Sequence, residues 1–249
     1  MKLNLLSSGK LNNKLGKNKN QLYDIYSLNL RPHETLLDNG KKVNTCPFAT
    51  SCTKICVGDN GHFGMKKGTA FLAQVRRTKA YFDNALDFYN DLFSDIEKAN
   101  NKAKKKGNIL VTRLNAYSDL NHEKQTNRYF KESIYKKFED VIFYDYTKDI
   151  KKALSNDNKN YFISYSYNEN TTEKQLKELI SKGISVSVVF EKLPATFKGY
   201  KVLDGDIDDN RFEDKKNTIT GLKFKGSKKK LLGAIASGFC IPAINFDKN

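Results

Sequence analysis

Three cysteines within eleven residues are the strongest candidates for chemistry in this sequence. They are Cys46, Cys52 and Cys56, in the spacing C-x5-C-x3-C, and the chain has one further cysteine, Cys240. Thiolates this close in sequence can bind one metal centre, and soft sulfur ligands favour zinc or an iron–sulfur cluster. Three ligands are one fewer than a closed zinc site or a fully ligated cluster requires. The chemistry of this stretch therefore depends on its fourth ligand.

Two residues are available to complete a zinc site: His62, six residues after Cys56, and Cys240 near the end of the sequence. Zinc ribbons and knuckles usually carry C-x2-C pairs, which this sequence lacks. A [4Fe–4S] cluster on three thiolates, with an open iron that binds a small molecule such as S-adenosylmethionine, fits the irregular spacing better. Cys240 stands in an apolar stretch, where a free cysteine behaves as a small core residue. We therefore expect Cys240 to be a core residue.

Polar side chains that follow the predicted strands form a second candidate group. In parallel α/β folds the carboxyl ends of the strands form the active-site face. We expect three of these side chains to be catalytic: Arg113, Asp119 and Lys148. We expect four others to bind a cofactor or co-substrate: Asn115, Ser118, Tyr146 and Ser164.

An acidic segment, Asp204 to Arg211, offers a third possibility for chemistry. Clustered carboxylates can bind a divalent cation, and together with Asp119 they would suit a magnesium-dependent nuclease. The segment lacks the spacing of an EF-hand loop. The alternative is that its carboxylates pair internally with Arg211 or with surrounding lysines.

The elements that must position these groups alternate along most of the chain. Strand patterns occur at residues 109–114, 141–146, 161–165, 184–190, 201–203 and 218–222. Helical patterns cover residues 69–99, 125–138, 148–154 and 172–181, the last opening with a capping box of Thr172 and Gln175. Strands separated by helices predict parallel βαβ units, and hence a partial (β/α) barrel or an open parallel sheet.

The length fits one α/β domain over residues 1–249, although length alone is also compatible with two small domains. We divide it into an irregular N-terminal arm and lead-in at 1–45, in which residues 22–30 form an irregular or short-strand segment, a cysteine-bearing loop at 46–64, and a helix followed by βα units at 65–249. The formal net charge of +16 favours contact with nucleic acid, although a diffuse coat of lysines is the alternative. No apolar run is long enough for a membrane span and no signal peptide is visible, so we expect a cytoplasmic protein that does not contact membranes.

Several motifs together resemble the phage gene-product-88-like family. They are Lys14-Leu15-Gly16-Lys17, Thr45-Cys46-Pro47, Arg113-Leu114-Asn115, Phe143-Tyr144 with Tyr146-Thr147-Lys148, Asp204-Gly205-Asp206 and Gly221-Leu222-Lys223. The three-cysteine stretch is also similar to the cluster motif of radical S-adenosylmethionine enzymes, which implies a radical-SAM-like partial barrel. Its spacing differs from their common C-x3-C-x2-C form.

The first hypothesis is therefore a radical-SAM-like enzyme with a [4Fe–4S] cluster, S-adenosylmethionine as co-substrate and a nucleic acid or nucleotide as substrate. A second is a non-catalytic, metal-stabilised phage protein that binds nucleic acid, with zinc or an iron–sulfur cluster. The magnesium-dependent nuclease is the third. For a phage-encoded protein the compartment would be the host cytoplasm. The oligomeric state is not predicted.

Overall fold

The computed structural model describes residues 3–9, 22–59 and 63–243. The chain divides into two compact units. The first comprises residues 1–47, 56–145 and 157–162, and the second comprises residues 48–55, 146–156 and 163–249. The assignment of one domain to residues 1–249 stays a prediction.

The strands, in chain order, are β1 (Leu6–Ser8), β2 (Tyr23–Leu28), β3 (Glu34–Leu36), β4 (Lys42–Asn44), β5 (Ile109–Arg113), β6 (Ile142–Thr147), β7 (Tyr161–Ser166), β8 (Ser185–Phe190), β9 (Thr196–Phe197), β10 (Tyr200–Asp204), β11 (Thr218–Lys223) and β12 (Cys240–Ile241). The helices are α1 (Thr69–Asp83), α2 (Ala85–Lys104), α3 (His122–Phe130), α4 (Ile134–Lys137), α5 (Ile150–Ser155), α6 (Glu173–Ser181) and α7 (Lys228–Ala236).

The first unit is built on strands in the order β1-β2-β5-β6, with most of β6 inside the unit. β1 is antiparallel to β2, whereas β2, β5 and β6 are parallel, with Ile25 opposite Val111 and Val111 opposite Ile142. The long helix α2 contacts β5, and its buried residues include Phe88, Leu92 and Ile96. The segment at residues 22–30, expected to be irregular or a short strand, thus contains a parallel strand, β2. Its pairing with β5 joins residues more than 80 positions apart, which local sequence does not encode.

The predicted helix at 69–99 is two helices, α1 and α2, which meet at Asn84. Asn84 is not helical (φ −149°, ψ 90°), and its side chain accepts a hydrogen bond from the Asp87 N–H (3.1 Å), which caps α2. The apolar spacing continues across this break and therefore concealed it. The predicted helix at 125–138 is likewise α3 and α4, because Lys131 adopts a left-handed conformation (φ 58°) that ends α3.

The second unit has strands in the order β7-β8-β11-β10-β9, with β12 also paired to β8. Its central pairs are parallel, and only β9 runs antiparallel to its neighbour β10. The capping box of α6 is present as predicted, with Thr172 and Gln175 in the expected roles. The helix buries Leu176, Leu179 and Ile180. It contacts β8, in which Val186, Val188 and Phe190 are fully buried.

The ten strands of the two sets are mostly parallel, and the strand order of each set is open. The α/β class with an open parallel sheet is therefore confirmed, while a radical-SAM-like barrel is not. Among the described helices, none is both long enough and apolar enough to cross a membrane.

Candidate functional site

Cys46 lies where two parallel strands of the first unit end. Its sulfur accepts a hydrogen bond from the backbone N–H of His33, which follows β2 (3.4 Å). The same sulfur lies 3.5 Å from the carbonyl oxygen of Tyr117, in the loop after β5. The preceding residue, Thr45, accepts the N–H of Asp119 from that loop (2.8 Å). The first cysteine is thus attached to the carboxyl ends of both β2 and β5.

Arg31 fixes the backbone that follows Cys56. It forms an ion pair with Asp59, and it donates hydrogen bonds to the Gly58 carbonyl (3.3 Å) and the Phe63 carbonyl (3.1 Å). A further hydrogen bond to Gln74 Oε1 (3.0 Å) joins the guanidinium to α1. A planar guanidinium can serve several acceptors at once in this way, which a lysine cannot. Arg31 therefore holds the turn after the third cysteine against the end of β2.

His33 connects the first cysteine to the turn after the third. Its backbone N–H contacts the Cys46 sulfur, and its ring Nε2 lies 2.7 Å from Asp59 Oδ2. Its backbone has a positive φ of 39°, a conformation that non-glycine residues adopt at an energetic cost. Sequence reasoning missed Arg31, His33 and Asp59. The available signals were His33, one of three histidines in the chain and 13 residues before Cys46, and an acidic residue three positions after Cys56.

The loop after β5 holds three of the predicted site residues, Asn115, Ser118 and Asp119, and Asn115 makes most of its internal hydrogen bonds. Asn115 is 1% exposed and donates from Nδ2 to Asp145 Oδ2 (3.0 Å) and to the Leu120 carbonyl (3.1 Å). Its Oδ1 accepts from Ser118 Oγ and from the Leu120 N–H, both at 2.9 Å. Asn115 and Ser118 thus serve to lock the loop. Their predicted contact with a cofactor stays a prediction.

The other two predicted residues, Arg113 and Asp119, lie on either side of Asn115 and Ser118 in the sequence. Arg113 donates to the Ala116 carbonyl (3.3 Å), and its guanidinium carbon lies 5.9 Å from the centre of the Tyr144 ring. Asp119 is only 8% exposed, and its backbone N–H forms the bond to Thr45 described above. The structure therefore gathers Arg113, at the end of β5, with Asn115, Ser118 and Asp119 of the following loop, and this loop also contacts Cys46. Their catalytic and binding roles stay predictions.

Cys52 belongs to the second unit, in a short 3-10 helix at Ser51–Ile55. Glu169, three residues after β7, accepts the Ser51 N–H (2.9 Å) and the Thr50 hydroxyl (3.3 Å). Burial raises the pKa of Glu169, but these hydrogen bonds outweigh that effect, so its pKa is lowered. A charged Glu169 therefore fastens the segment of Cys52 next to the carboxyl end of β7.

The remaining predicted residues, Lys148, Tyr146 and Ser164, have contacts of their own within the second unit. Lys148 Nζ lies 3.4 Å from Ser166 Oγ and 5.3 Å from the centre of the Phe239 ring. The Tyr146 hydroxyl donates to Asp209 (2.8 Å). Ser164 is fully buried and contacts hydroxyls of β8, at 2.7 Å from Ser187 Oγ.

Carboxylates of the acidic segment form ion pairs with nearby lysine and arginine side chains. Asp204 pairs with Lys223 (3.2 Å), and Asp206 pairs with Lys225 (2.5 Å). Arg211 is 4% exposed and contacts two further carboxylates, those of Asp208 (3.2 Å) and Asp214 (3.0 Å). This arrangement agrees with the internal pairing considered from the sequence, and each of these interactions would compete with a bound cation.

The sulfur atoms are free thiols in two kinds of surroundings. Cys46, Cys52 and Cys56 are partly exposed, whereas Cys240 on β12 is fully buried. Burial raises the pKa of Cys240 to about 11. Within residues 3–9, 22–59 and 63–243, no three histidine, cysteine or acidic side chains are grouped so as to hold a metal ion. The alternative ligand His62 lies outside the described residues.

Comparisons with known proteins give one match. A family model described as gene product 88 matches residues 5–243. Neither a search of curated proteins nor a search of solved structures found a match.

Proposed function

The chain belongs to the gene product 88 family, and we propose that it is an iron–sulfur protein that resembles radical S-adenosylmethionine enzymes. In this proposal the thiolates of Cys46, Cys52 and Cys56 bind a [4Fe–4S] cluster, and its open iron takes S-adenosylmethionine as co-substrate. When bound, such a cluster supplies one-electron chemistry.

One observation carries the proposal: the Cys46 sulfur accepts a backbone N–H at the carboxyl ends of two parallel strands. Ligands of open α/β sheets bind outside these strand ends. Hydrogen bonds to a cluster's sulfur ligands help to set its reduction potential. The donor set fits because three partly exposed free thiols are available to a soft metal. They are not grouped as a preformed ligand set in the described residues, so metal binding would have to rearrange the loop.

The residues around the cysteines would then have mechanical roles. Arg31 and Asp59 hold the turn after Cys56, and His33 supports the Cys46 sulfur through its backbone. Arg113, Asp119 and Lys148 remain the proposed catalytic residues, with Asn115, Ser118, Tyr146 and Ser164 proposed to bind or support the co-substrate.

Anaerobic reconstitution with iron and sulfide tests the proposal. The wild-type protein should take up iron and sulfide with the brown colour of a cluster. Cys46→Ser, Cys52→Ser and Cys56→Ser should each lose most of it. Cys240→Ala is the matched control and should reconstitute as the wild type does, since its sulfur is sealed in the core. Zinc without iron in the purified protein would instead support the metal-stabilised alternative, and loss of the cluster in Cys240→Ala would contradict the assignment of ligands.

A further inference from the structure

The second unit has a cleft of about 710 Å³ whose lining residues lie far along the chain from Cys46, Cys52 and Cys56. It is lined by the residue after β7, the first turns of α6, the β9–β10 hairpin and Ile241. Its volume is within the usual range of small-molecule sites. It includes Tyr167, which directly follows the carboxyl end of a parallel strand, the position where α/β sheets bind their ligands.

The lining combines aromatic rings with ammonium groups. Tyr167, Phe197 and Tyr200 contribute three rings, and Tyr167 meets Phe197 edge to face with ring centres 5.5 Å apart. Lys177 and Lys198 supply positive charge. Aromatic side chains stack on nucleobases, and lysines bind phosphate. Glu173, which also lines the cleft, can accept a hydrogen bond from a ribose hydroxyl, as acidic residues do in nucleotide sites.

Lys198 lines this cleft although its backbone conformation is one that lysine rarely adopts. It occupies the first central position of the two-residue turn between β9 and β10, with φ 48°, and Gly199 follows with φ 83°. Two positive φ values define a type I′ turn, in which asparagine, aspartate or glycine is preferred. The Lys198 ammonium forms an ion pair with Glu173 across the cleft (2.7 Å). A lysine with an unfavourable conformation at a ligand-sized cleft points to a functional reason for the residue.

We infer that this cleft binds a nucleotide, with the base against Tyr167 and Tyr200 and the phosphate on Lys177 and Lys198. The nucleotide is either free or part of a single strand, because both present the same base and phosphate. The inference does not depend on the iron–sulfur proposal, since none of its residues belongs to the cysteine stretch.

The test uses the full chain and an end-labelled oligothymidylate, followed by fluorescence anisotropy. Lys198→Asn places a turn-preferred residue at the strained position, so its melting temperature should equal or exceed that of the wild type while its affinity falls by about tenfold. Tyr167→Leu should weaken binding by about as much, because it removes a stacking surface. Lys182→Asn is the matched control. It removes a lysine that pairs with Glu178 at the other end of α6 and should change affinity by less than about twofold.

Competition with unlabelled AMP distinguishes the two sources of the nucleotide. Displacement of the oligonucleotide by AMP identifies a site for a free nucleotide, and displacement only by unlabelled strand identifies a strand site. The inference would be overturned if the protein bound neither the labelled oligothymidylate nor a fluorescently labelled AMP. Equal losses of affinity in Lys198→Asn and Lys182→Asn, or an unchanged affinity in Tyr167→Leu, would also overturn it. Binding would then depend only on the positive charge spread over the surface. Cys46→Ser should bind the oligonucleotide normally, which separates this result from that of the cluster experiment.

Discussion

Replacement of Asn115 by alanine should be among the most destabilising single changes in the loop next to Cys46. The alanine keeps the backbone N–H bond to Asp145 (2.6 Å) but loses four side-chain hydrogen bonds, all in buried surroundings. At about 1 kcal/mol net for each bond, and more for the one to a carboxylate, the free energy of unfolding should fall by about 4 kcal/mol.

Urea denaturation followed by circular dichroism measures this change, and the same loop offers a control. Asn121 is exposed and makes one capping bond, to the Lys124 N–H (2.8 Å), so Asn121→Ala should cost only about 1 kcal/mol. If Asn115→Ala costs no more than Asn121→Ala, then Asn115 does not lock the loop and the reasoning is wrong.

Asn115→Asp sharpens the test because it keeps the shape and removes the donor. The new carboxylate would lie next to that of Asp145, at the position where Asn115 Nδ2 now donates a hydrogen bond to Asp145 Oδ2 over 3.0 Å. Two such carboxylates cannot both ionise cheaply, so one pKa of the pair rises in the folded state above its value in the unfolded chain. The penalty should therefore be small near pH 4 and should grow as the pH rises to about 7. A penalty independent of pH would contradict this account.

Three further predictions concern other parts of the chain. Burial raises the pKa of the Cys240 thiol from 9.0 to about 11, so as the pH rises this thiol ionises in the unfolded chain before it ionises in the folded one. The free energy of unfolding should therefore fall by about 2 kcal/mol between pH 8 and 10.5, as measured by urea titration with Cys240→Ala as the reference. Arg31→Lys should lower the free energy of unfolding by about 2–3 kcal/mol and speed amide hydrogen exchange around residues 56–59. One ammonium cannot replace the guanidinium's hydrogen bonds to the Gly58 and Phe63 carbonyls and to Gln74. Unchanged exchange would show that Arg31 does not hold this turn. Gly205→Ala should lower the melting temperature because its Cβ would collide with the Thr220 side chain, whereas Gly233→Ala, with open space in α7, should raise it slightly.

Local signals predicted the elements that local interactions stabilise. The strand patterns around β5, β6, β7, β8, β10 and β11 were placed to within a residue or two, and the capping box of α6 was found because its partners are three residues apart. The break at Asn84 was missed because amphipathic spacing reports which face is buried and not whether the backbone is continuous. An asparagine three residues before an aspartate was the available signal, but this pair also occurs within loops.

The sequence draws attention to the cysteines of the candidate site but not to the residues that hold them in place. The cysteines are rare and close together, so their spacing is visible in the sequence. Arg31, His33 and Asp59 act through contacts between segments that are about 26–28 residues apart, and only the folded chain brings them together. Conversely, Asn115 and Ser118 were predicted to face a ligand because they follow a strand. In the structure their side chains hydrogen-bond to their own loop and to Asp145 of β6, while their contact with a ligand stays a prediction.

The surroundings of the sulfur atoms bear on the question of the fourth ligand. A metal binds the thiolate, so a cysteine whose pKa is raised by burial is a poor ligand. Cys240 is fully buried on β12, with its backbone paired to β8 and its pKa raised to about 11. The other three cysteines, Cys46, Cys52 and Cys56, are partly exposed, so a metal could reach their sulfur atoms without opening the core. These differences favour three protein thiolates with an open position over a site closed by Cys240.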